Sequence, residues 1–324
     1  MKIAIAVVLL MVAIFLVIKG GDIFVSSATD IAKRAHIPQL LFGATIVSLA
    51  TTLPELLIGI LSSVDGTTGL AVGNSVGSAI CNVGLISGVA FVLMPCDMSR
   101  GGFLKYYLNL VVVFALLGFG LFFNLVTWQG VVLAVLAVLF FVINYIDVKL
   151  IDKNKKKKTK KQDEPLKPLW LTILLFVLGA SAIGGGAYLL VDKVEYLSKV
   201  IGVSEQFVGL TVVAIGTSLP ELITVFNSIK NKSPYLAIGN IIGSNILNLA
   251  LILGVSRLVA WNYNMQITKE TAYITLPILC LLTLIMILPI LFKKKTYKWQ
   301  GIVLLILYAM YIIYLILNAI LGFI

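Results

Sequence analysis

The chain has 324 residues, 60% of them apolar and only 12% charged, with a mean hydropathy of +1.06 and a formal net charge of +11. No soluble domain hides that much apolar surface, and apolar runs of about twenty residues have the length that crosses a bilayer. The positive charge sits between those runs, so it reads as membrane topology and inner-leaflet contact rather than as a nucleic-acid footprint.

Ten membrane spans are predicted, in order Ile3–Ile31, Leu40–Ser62, Leu70–Met94, Leu104–Phe123, Trp128–Tyr145, Leu169–Leu190, Phe207–Ile229, Leu236–Val259, Ala272–Phe292 and Gln300–Leu321. The first is too long for a secretory leader, lacks a small-residue cleavage site and continues into Gly20–Ala35, so it is kept as span one. Lys19 and Asp22 within it read as a local pair or interfacial groups. His36 falls in a loop, and Cys81, Cys96 and Cys280 lie in or beside apolar runs without disulfide or metal-type spacing. Between spans five and six runs the polar, Lys-rich segment Lys149–Pro168, a flexible tether too short to fold by itself. In a ten-span plan this segment shares one face with Lys33, Arg34, Arg100, Lys105, Lys230, Lys232, Lys293–Lys295 and Lys298. The other face carries only Lys2, Lys193, Lys199, Arg257 and Lys269. The positive-inside rule then places the basic face in the cytoplasm and both termini outside.

One sequence occurs twice. Gly43–Val89 contains ATTLPEL (Ala50–Leu56) and GNSVGSAICN (Gly73–Asn82), and Gly209–Val255 contains GTSLPEL (Gly216–Leu222) and GNIIGSNILN (Gly239–Asn248). The register is constant: 221 − 55 = 166 for the glutamates and 248 − 82 = 166 for the asparagines. Gly20 and Gly186, and Lys33 and Lys199, keep the same offset. Each half therefore supplies five spans, residues 1–148 and 169–324, joined by 149–168. Five is odd, so the second half enters the membrane from the opposite side. The predicted fold is an all-α membrane protein of two inverted five-helix repeats.

In each copy a glutamate sits in an apolar span, where a charge at the centre costs about 2.5–3.5 kcal/mol on insertion scales. Thr51, Thr52 and Glu55 share a helix face, as do Thr217, Ser218 and Glu221. Pro54 and Pro220 lack an N–H and displace the carbonyls of Ala50 and Gly216. At membrane depth such freed carbonyls persist only beside a cavity or a ligand. Carboxylates, hydroxyls and carbonyls together are hard oxygen donors suited to Ca²⁺ or similar cations. Span three adds Asn74, Ser78 and Asn82, and span eight adds Asn240, Ser244 and Asn248, each set at i, i+4, i+8 on one face. The amides of Asn74 and Asn240 also fit plain interhelical hydrogen bonding, and Gly73, Gly77, Gly239 and Gly243 fit close helix packing.

At these residues the chain resembles the cation/calcium exchanger superfamily, which includes the sodium/calcium exchangers. The likeness covers both signature repeats and the ten-span plan, in the compact prokaryotic form without the large cytosolic regulatory loop of animal members. It implies that Glu55 and Glu221 hold Ca²⁺ together with the carbonyls of Thr51 and Thr217. It further implies flanking Na⁺ sites, one of Glu55, Thr51, Ser78 and the Ser48 carbonyl, the other of Glu221, Thr217, Ser244 and the Ala214 carbonyl. Thr52 and Ser218 would line the pathways, Asn82 and Asn248 would border the centre, and spans one and six would slide across the core. Proton-coupled members carry an asparagine-containing motif where this chain has TTLPEL and TSLPEL, which favours the sodium-coupled branch. Some prokaryotic and potassium-dependent members carry an acid at the position of Asn248, so potassium dependence is disfavoured here.

The expectation is thus a Na⁺/Ca²⁺ antiporter in a prokaryotic cell membrane, not an enzyme, with Na⁺, Ca²⁺ and the lipid bilayer as partners. No cofactor and no nucleic acid are expected, and a monomer is the simplest assembly. Exchange of H⁺ or of another divalent ion is the alternative within the family. A cation channel or an intramembrane hydrolase is the alternative outside it, the latter lacking a His or Lys beside its Ser and Thr. Single cysteines placed within Lys153–Lys161 should label with impermeant thiol reagents only from the cytoplasmic side, and ones within Val64–Thr67 only from outside. Labelling of both from one side would overturn the five-plus-five plan.

Overall fold

The structure, a computed structural model, describes residues 2–34, 47–98, 103–154, 168–230 and 234–321. Among these, nine helical stretches are long and apolar enough to cross a membrane. Span two is the tenth: its helices Val47–Thr51 and Leu53–Val64 are described, while its expected start lies outside the described residues, as do His36 and Gly43.

Several spans outrun their predicted limits. Span six is one helix from Leu169 to Ile201, roughly 50 Å at the usual rise, more than the roughly 30 Å hydrocarbon core. Its expected end was Leu190, and Asp192, Lys193, Glu195 and Lys199 follow. Those residues instead continue the helix with local ion pairs, Lys193–Asp192 and Lys199–Glu195, both at 2.5 Å. The helix stops at Gly202, whose φ of 80° is left-handed and whose N–H returns to Ser198 O at 2.8 Å. Span five likewise runs from Thr127 to Asn154, taking the first residues of the expected tether into helix. The rest of that tether, 155–167, lies outside the described residues. In span one, Lys19 and Asp22 do form a local pair, at 3.3 Å.

Spans one and six pack antiparallel along their length. Gly20 meets Ala182 and Ile183, Gly179 meets Phe24, and Gly186 meets Ala13, Leu16 and Val17, so partner numbers fall as residue numbers rise. The contacts also obey the repeat. Gly20 against Ala182 maps onto Gly186 against Leu16, since 20 + 166 = 186 and 182 − 166 = 16. Gly77 against Ala214 maps in the same way onto Gly243 against Ser48, since 77 + 166 = 243 and 214 − 166 = 48. Swapped pairs of this kind are what a pseudo-twofold axis between inverted repeats produces.

Loop contacts agree with the span count. Asn124–Leu125, between spans four and five, pairs antiparallel with Met265–Gln266, between spans eight and nine. Thr68, at the start of span three, donates to Asn264 O at 2.9 Å. Asp97, between spans three and four, bridges Lys295, between spans nine and ten. Each pairing joins loops that the alternating plan puts on one face.

Buried apolar side chains form two clusters. The larger draws mainly on spans three, four, five, eight, nine and ten. The smaller belongs to spans one and six, from Ala6 to Val17 and from Ala187 to Leu197, and adds only Ile58, Leu70 and Val213 from other spans. Spans one and six are therefore a pair seated on a separately cemented bundle. At Gly20 an added Cβ would lie 2.8 Å from Ala182 Cβ and 2.9 Å from Ile183 N. Gly20→Val should therefore lower thermal stability by the equivalent of about 1–3 kcal/mol of overpacking, read as an earlier melting transition of the detergent-purified protein. Gly184→Ala, where an added Cβ meets nothing within 4 Å, serves as the neutral control.

Candidate cation site

Both proline motifs break their helices one residue after a threonine. Span two is interrupted at Thr52 (φ −86°, ψ −2°) and span seven at Ser218 (φ −80°, ψ 1°). The chain recovers at once: Leu56 N bonds Thr52 O at 3.0 Å and Leu222 N bonds Ser218 O at 3.2 Å. Pro54 and Pro220 then set Glu55 and Glu221 in the first turn of the following helices. Spans three and eight change to π geometry at Asn82–Ile86 and Leu247–Ile252, at and beside the asparagines that end their polar stripes. Such widened turns recur at functional sites.

The two glutamates are fully buried, each at 0% exposure. Among the described residues neither carboxylate oxygen of Glu55 accepts a hydrogen bond, and that of Glu221 accepts one through Oε1, from Ser244 Oγ at 3.4 Å, while Oε2 has none. No ion pair among the described residues involves either glutamate. The two carboxylates share one locality: Thr52, three residues from Glu55, donates to Ser244, which donates to Glu221 Oε1. Around them Thr217 lies beside Glu55, and Thr51 and Ser244 lie beside Glu221. The hydroxyls also meet across the repeats: Thr52 Oγ1 donates to Ser244 Oγ at 3.3 Å, and Ser78 Oγ and Thr217 Oγ1 lie 3.5 Å apart. The amides of Asn82 and Asn248 are buried without partners, as is Ser218 Oγ.

The structure thus gathers Thr51, Thr52, Glu55, Ser78, Thr217, Glu221 and Ser244, and buries Asn82, Asn248 and Ser218 in the same helical stretches. Thr217 beside Glu55 and Thr51 beside Glu221 are neighbours across the repeats, whereas Ser244 meets Glu221 within one repeat, as the sequence-based sodium grouping has it. Two expected carbonyl donors are engaged. Ser48 O accepts from Thr52 N (3.0 Å), Thr51 Oγ1 (3.2 Å) and Thr52 Oγ1 (2.7 Å), and Ala214 O accepts from Ser218 N (3.1 Å) and Thr217 Oγ1 (3.4 Å). Either must exchange a hydroxyl partner before it can ligate an ion.

Asn74 and Asn240 differ although the repeat makes them equivalent. Asn74 Nδ2 donates to Glu55 O at 3.2 Å and its Oδ1 accepts from Thr217 Oγ1 at 3.4 Å, tying the two broken helices together. Asn240 is buried with both amide atoms unpartnered. Sequence reasoning passed over Asn245, which is also buried and unpartnered. Its counterpart is Ala79, since 245 − 166 = 79, so an asparagine lacking a match in the first copy was the available signal. Among the described residues no group of three or more His, Cys, Asp and Glu comes together. A cation here would meet two carboxylates and otherwise neutral oxygens, the donor set of a hard ion.

A family model described as sodium/calcium exchanger protein matches residues 5–146 and 171–317. The chain belongs to the sodium/calcium exchanger family. It is similar to the sodium/calcium exchanger MaX1 of Methanosarcina acetivorans, with 30% identity covering 95% of this chain and 97% of that one. It is also similar to the uncharacterized membrane protein MJ0091 of Methanocaldococcus jannaschii, with 29% identity covering 92% and 94%. Among solved structures it resembles the sodium-calcium exchanger NCX_Mj soaked with 10 mM Na⁺ and 10 mM Sr²⁺, with TM-score 0.65, 26% identity and coverage of 96% and 98%. The exchanger is accordingly a multi-pass integral membrane protein, and the segment between the two matched stretches contains its Lys-rich run.

The unequal asparagines make a direct prediction for this exchanger. Asn74→Ala removes two buried hydrogen bonds and should destabilise it by about 1–3 kcal/mol, whereas Asn240→Ala should cost clearly less. Thermal unfolding of both variants in one detergent checks this, and equal losses would contradict the asymmetry.

Proposed function

We propose that the exchanger is a secondary antiporter that moves Na⁺ against Ca²⁺ by alternating access to a site shared by Glu55 and Glu221. The observation that carries this is the pair of fully buried carboxylates, one from each inverted repeat, with three of their four oxygens lacking a hydrogen-bond donor among the described residues. Burying an unpaired charge is prohibitive, so the pair needs a cation or a proton to neutralise it. Two carboxylates balance one Ca²⁺ or two Na⁺, and the neutral oxygens of Thr51, Thr52, Ser78, Asn82, Thr217, Ser218, Ser244 and Asn248 complete the coordination. The Ser48 and Ala214 carbonyls join once their hydroxyl partners turn away. Ions that need the same carboxylates exclude one another, and that exclusion couples the two fluxes.

Access alternates through spans one and six. Their mutual interface carries Gly20, Gly179 and Gly186, and their apolar cluster is separate from that of the bundle. Where the pair meets the broken helices, Gly21 faces Pro54 and Gly216 faces Ile14, and small residues there leave a smooth surface along which the pair can shift. The basic loops face the cytoplasm and both termini lie outside, in a prokaryotic cell membrane. The working division of the chain is 1–148, 149–168 and 169–324. Its work is transport and not bond chemistry, a reading supported by its membership of a family of exchangers.

The test is Ca²⁺ uptake into proteoliposomes with Na⁺, K⁺ or a pH gradient imposed on the other side. Uptake should follow the Na⁺ gradient and stop when that gradient is collapsed. Uptake driven by the pH gradient alone would establish the proton-coupled alternative, and uptake with no counter-ion would establish a channel. Glu55→Gln and Glu221→Gln should each abolish exchange while the protein still inserts and elutes as a single species. Near-normal Na⁺-driven flux in either variant would remove that glutamate from the site.

A further inference from the structure

The corner between spans nine and ten is more elaborate than a turn needs to be. Pro289, one turn before the end of span nine, cannot donate to the carbonyl of Ile285. Gln300 of span ten takes over: its Nε2 donates to Ile285 O at 2.8 Å, and its Oε1 accepts the N–H of Tyr297 at 2.8 Å. Gln300 is fully buried. Span nine then stops at Lys293, because Lys294 adopts left-handed backbone (φ 52°, ψ 33°) with its N–H on Ile290 O at 3.0 Å. The corner is thereby held from both sides by one side chain, whose Nε2 also reaches Met286 O at 3.4 Å.

That rigid corner frames a shallow groove of about 410 Å³ lined by Leu288, Pro289, Phe292, Lys293, Tyr297 and Trp299. Its walls are apolar and open: Phe292 is 78% exposed and Trp299 53% exposed, with Tyr297 and Trp299 stacked at 6.4 Å. Lys293 lines it, and Lys294, Lys295 and Lys298 follow within six residues of sequence, the last between the lining residues Tyr297 and Trp299. Lys294 rests over the Phe103 ring at 5.8 Å, and Asp97 stands across the bridge from Lys295, so the local balance is 4 − 1 = +3. An apolar trough walled by a tryptophan, with cations at one end, has the polarity of a phospholipid: acyl chain along Leu288 and Phe292, phosphate at the lysines.

We propose that this groove is a binding site for one anionic phospholipid, held by Lys293 and Lys298 at its headgroup and by Phe292 and Trp299 along its chain. The proposal rests on the chain spanning a membrane and not on which ions it exchanges, so it stands or falls independently of the antiport reading.

Trp299 is the built-in probe. A variant keeping it as sole tryptophan (Trp128→Phe, Trp170→Phe, Trp261→Phe) is reconstituted in phosphatidylcholine nanodiscs. These contain either brominated phosphatidylglycerol or brominated phosphatidylcholine at equal mole fraction. Quenching by the anionic lipid should exceed that by the zwitterionic lipid, and Lys293→Gln with Lys298→Gln should weaken the apparent affinity by about tenfold. A second variant keeping only Trp170, which starts span six after the Lys-rich segment and is 68% exposed, controls for general enrichment of anionic lipid on that face. Equal preference at Trp170 and Trp299 would overturn a defined site. So would unchanged preference in the double lysine variant, and so would displacement by glycerol phosphate, which would make the groove a phosphate site instead. The lysines are exposed surface groups, so the double variant is expected to fold, and its melting transition confirms that.

Discussion

The fold turns on two buried carboxylates for which no described residue supplies an ion-pair partner. A buried ion pair would solve the problem permanently and uselessly. Here no Lys or Arg among the described residues pairs with either glutamate, and the surrounding groups are hydroxyls, amides and carbonyls, which can share a cation without replacing it. The broken helices, the π turns and the close glycine contacts serve the same end. They open backbone at membrane depth only where side chains from the other repeat can reach it.

The antiparallel pairing of spans one and six and the swapped glycine contacts are the geometric expression of the duplication. An odd number of spans per repeat forces inversion, and inversion places equivalent residues on opposite sides of one centre. Thr51 and Thr217 accordingly reach the glutamates of the opposite repeat. Each half thus supplies a hydroxyl neighbour to the other's carboxylate, alongside the Ser244 contact that Glu221 makes within its own half.

Much of this was legible beforehand. A fixed offset of 166 residues, two prolines placed just before two glutamates and two polar stripes of period four located the spans, the inversion and the gathered side chains. Helix ends were less legible. Span six runs eleven residues past its expected limit, because polar residues at a membrane surface can extend a helix as readily as end it, and Gly202 rather than the first charge was the stop signal. The breaks at Thr52 and Ser218 were foreshadowed by the prolines. The engagement of the Ser48 carbonyl by three donors was not, because it depends on rotamers that a sequence does not specify. Asn245 escaped notice because attention to what repeats hides what does not.

The near-equivalence of the halves bears on energetics. For a perfectly inverted pair, the state open to one side is the state open to the other turned through the twofold axis, and the two would have identical internal energy. Such a carrier has no intrinsic direction: the gradients alone decide which way it runs, and either flux can be reversed. The departures from symmetry are then the only source of rectification within the protein. The bridged Asn74 opposite the unbridged Asn240, and Ala79 opposite Asn245, are where a resting preference would be written.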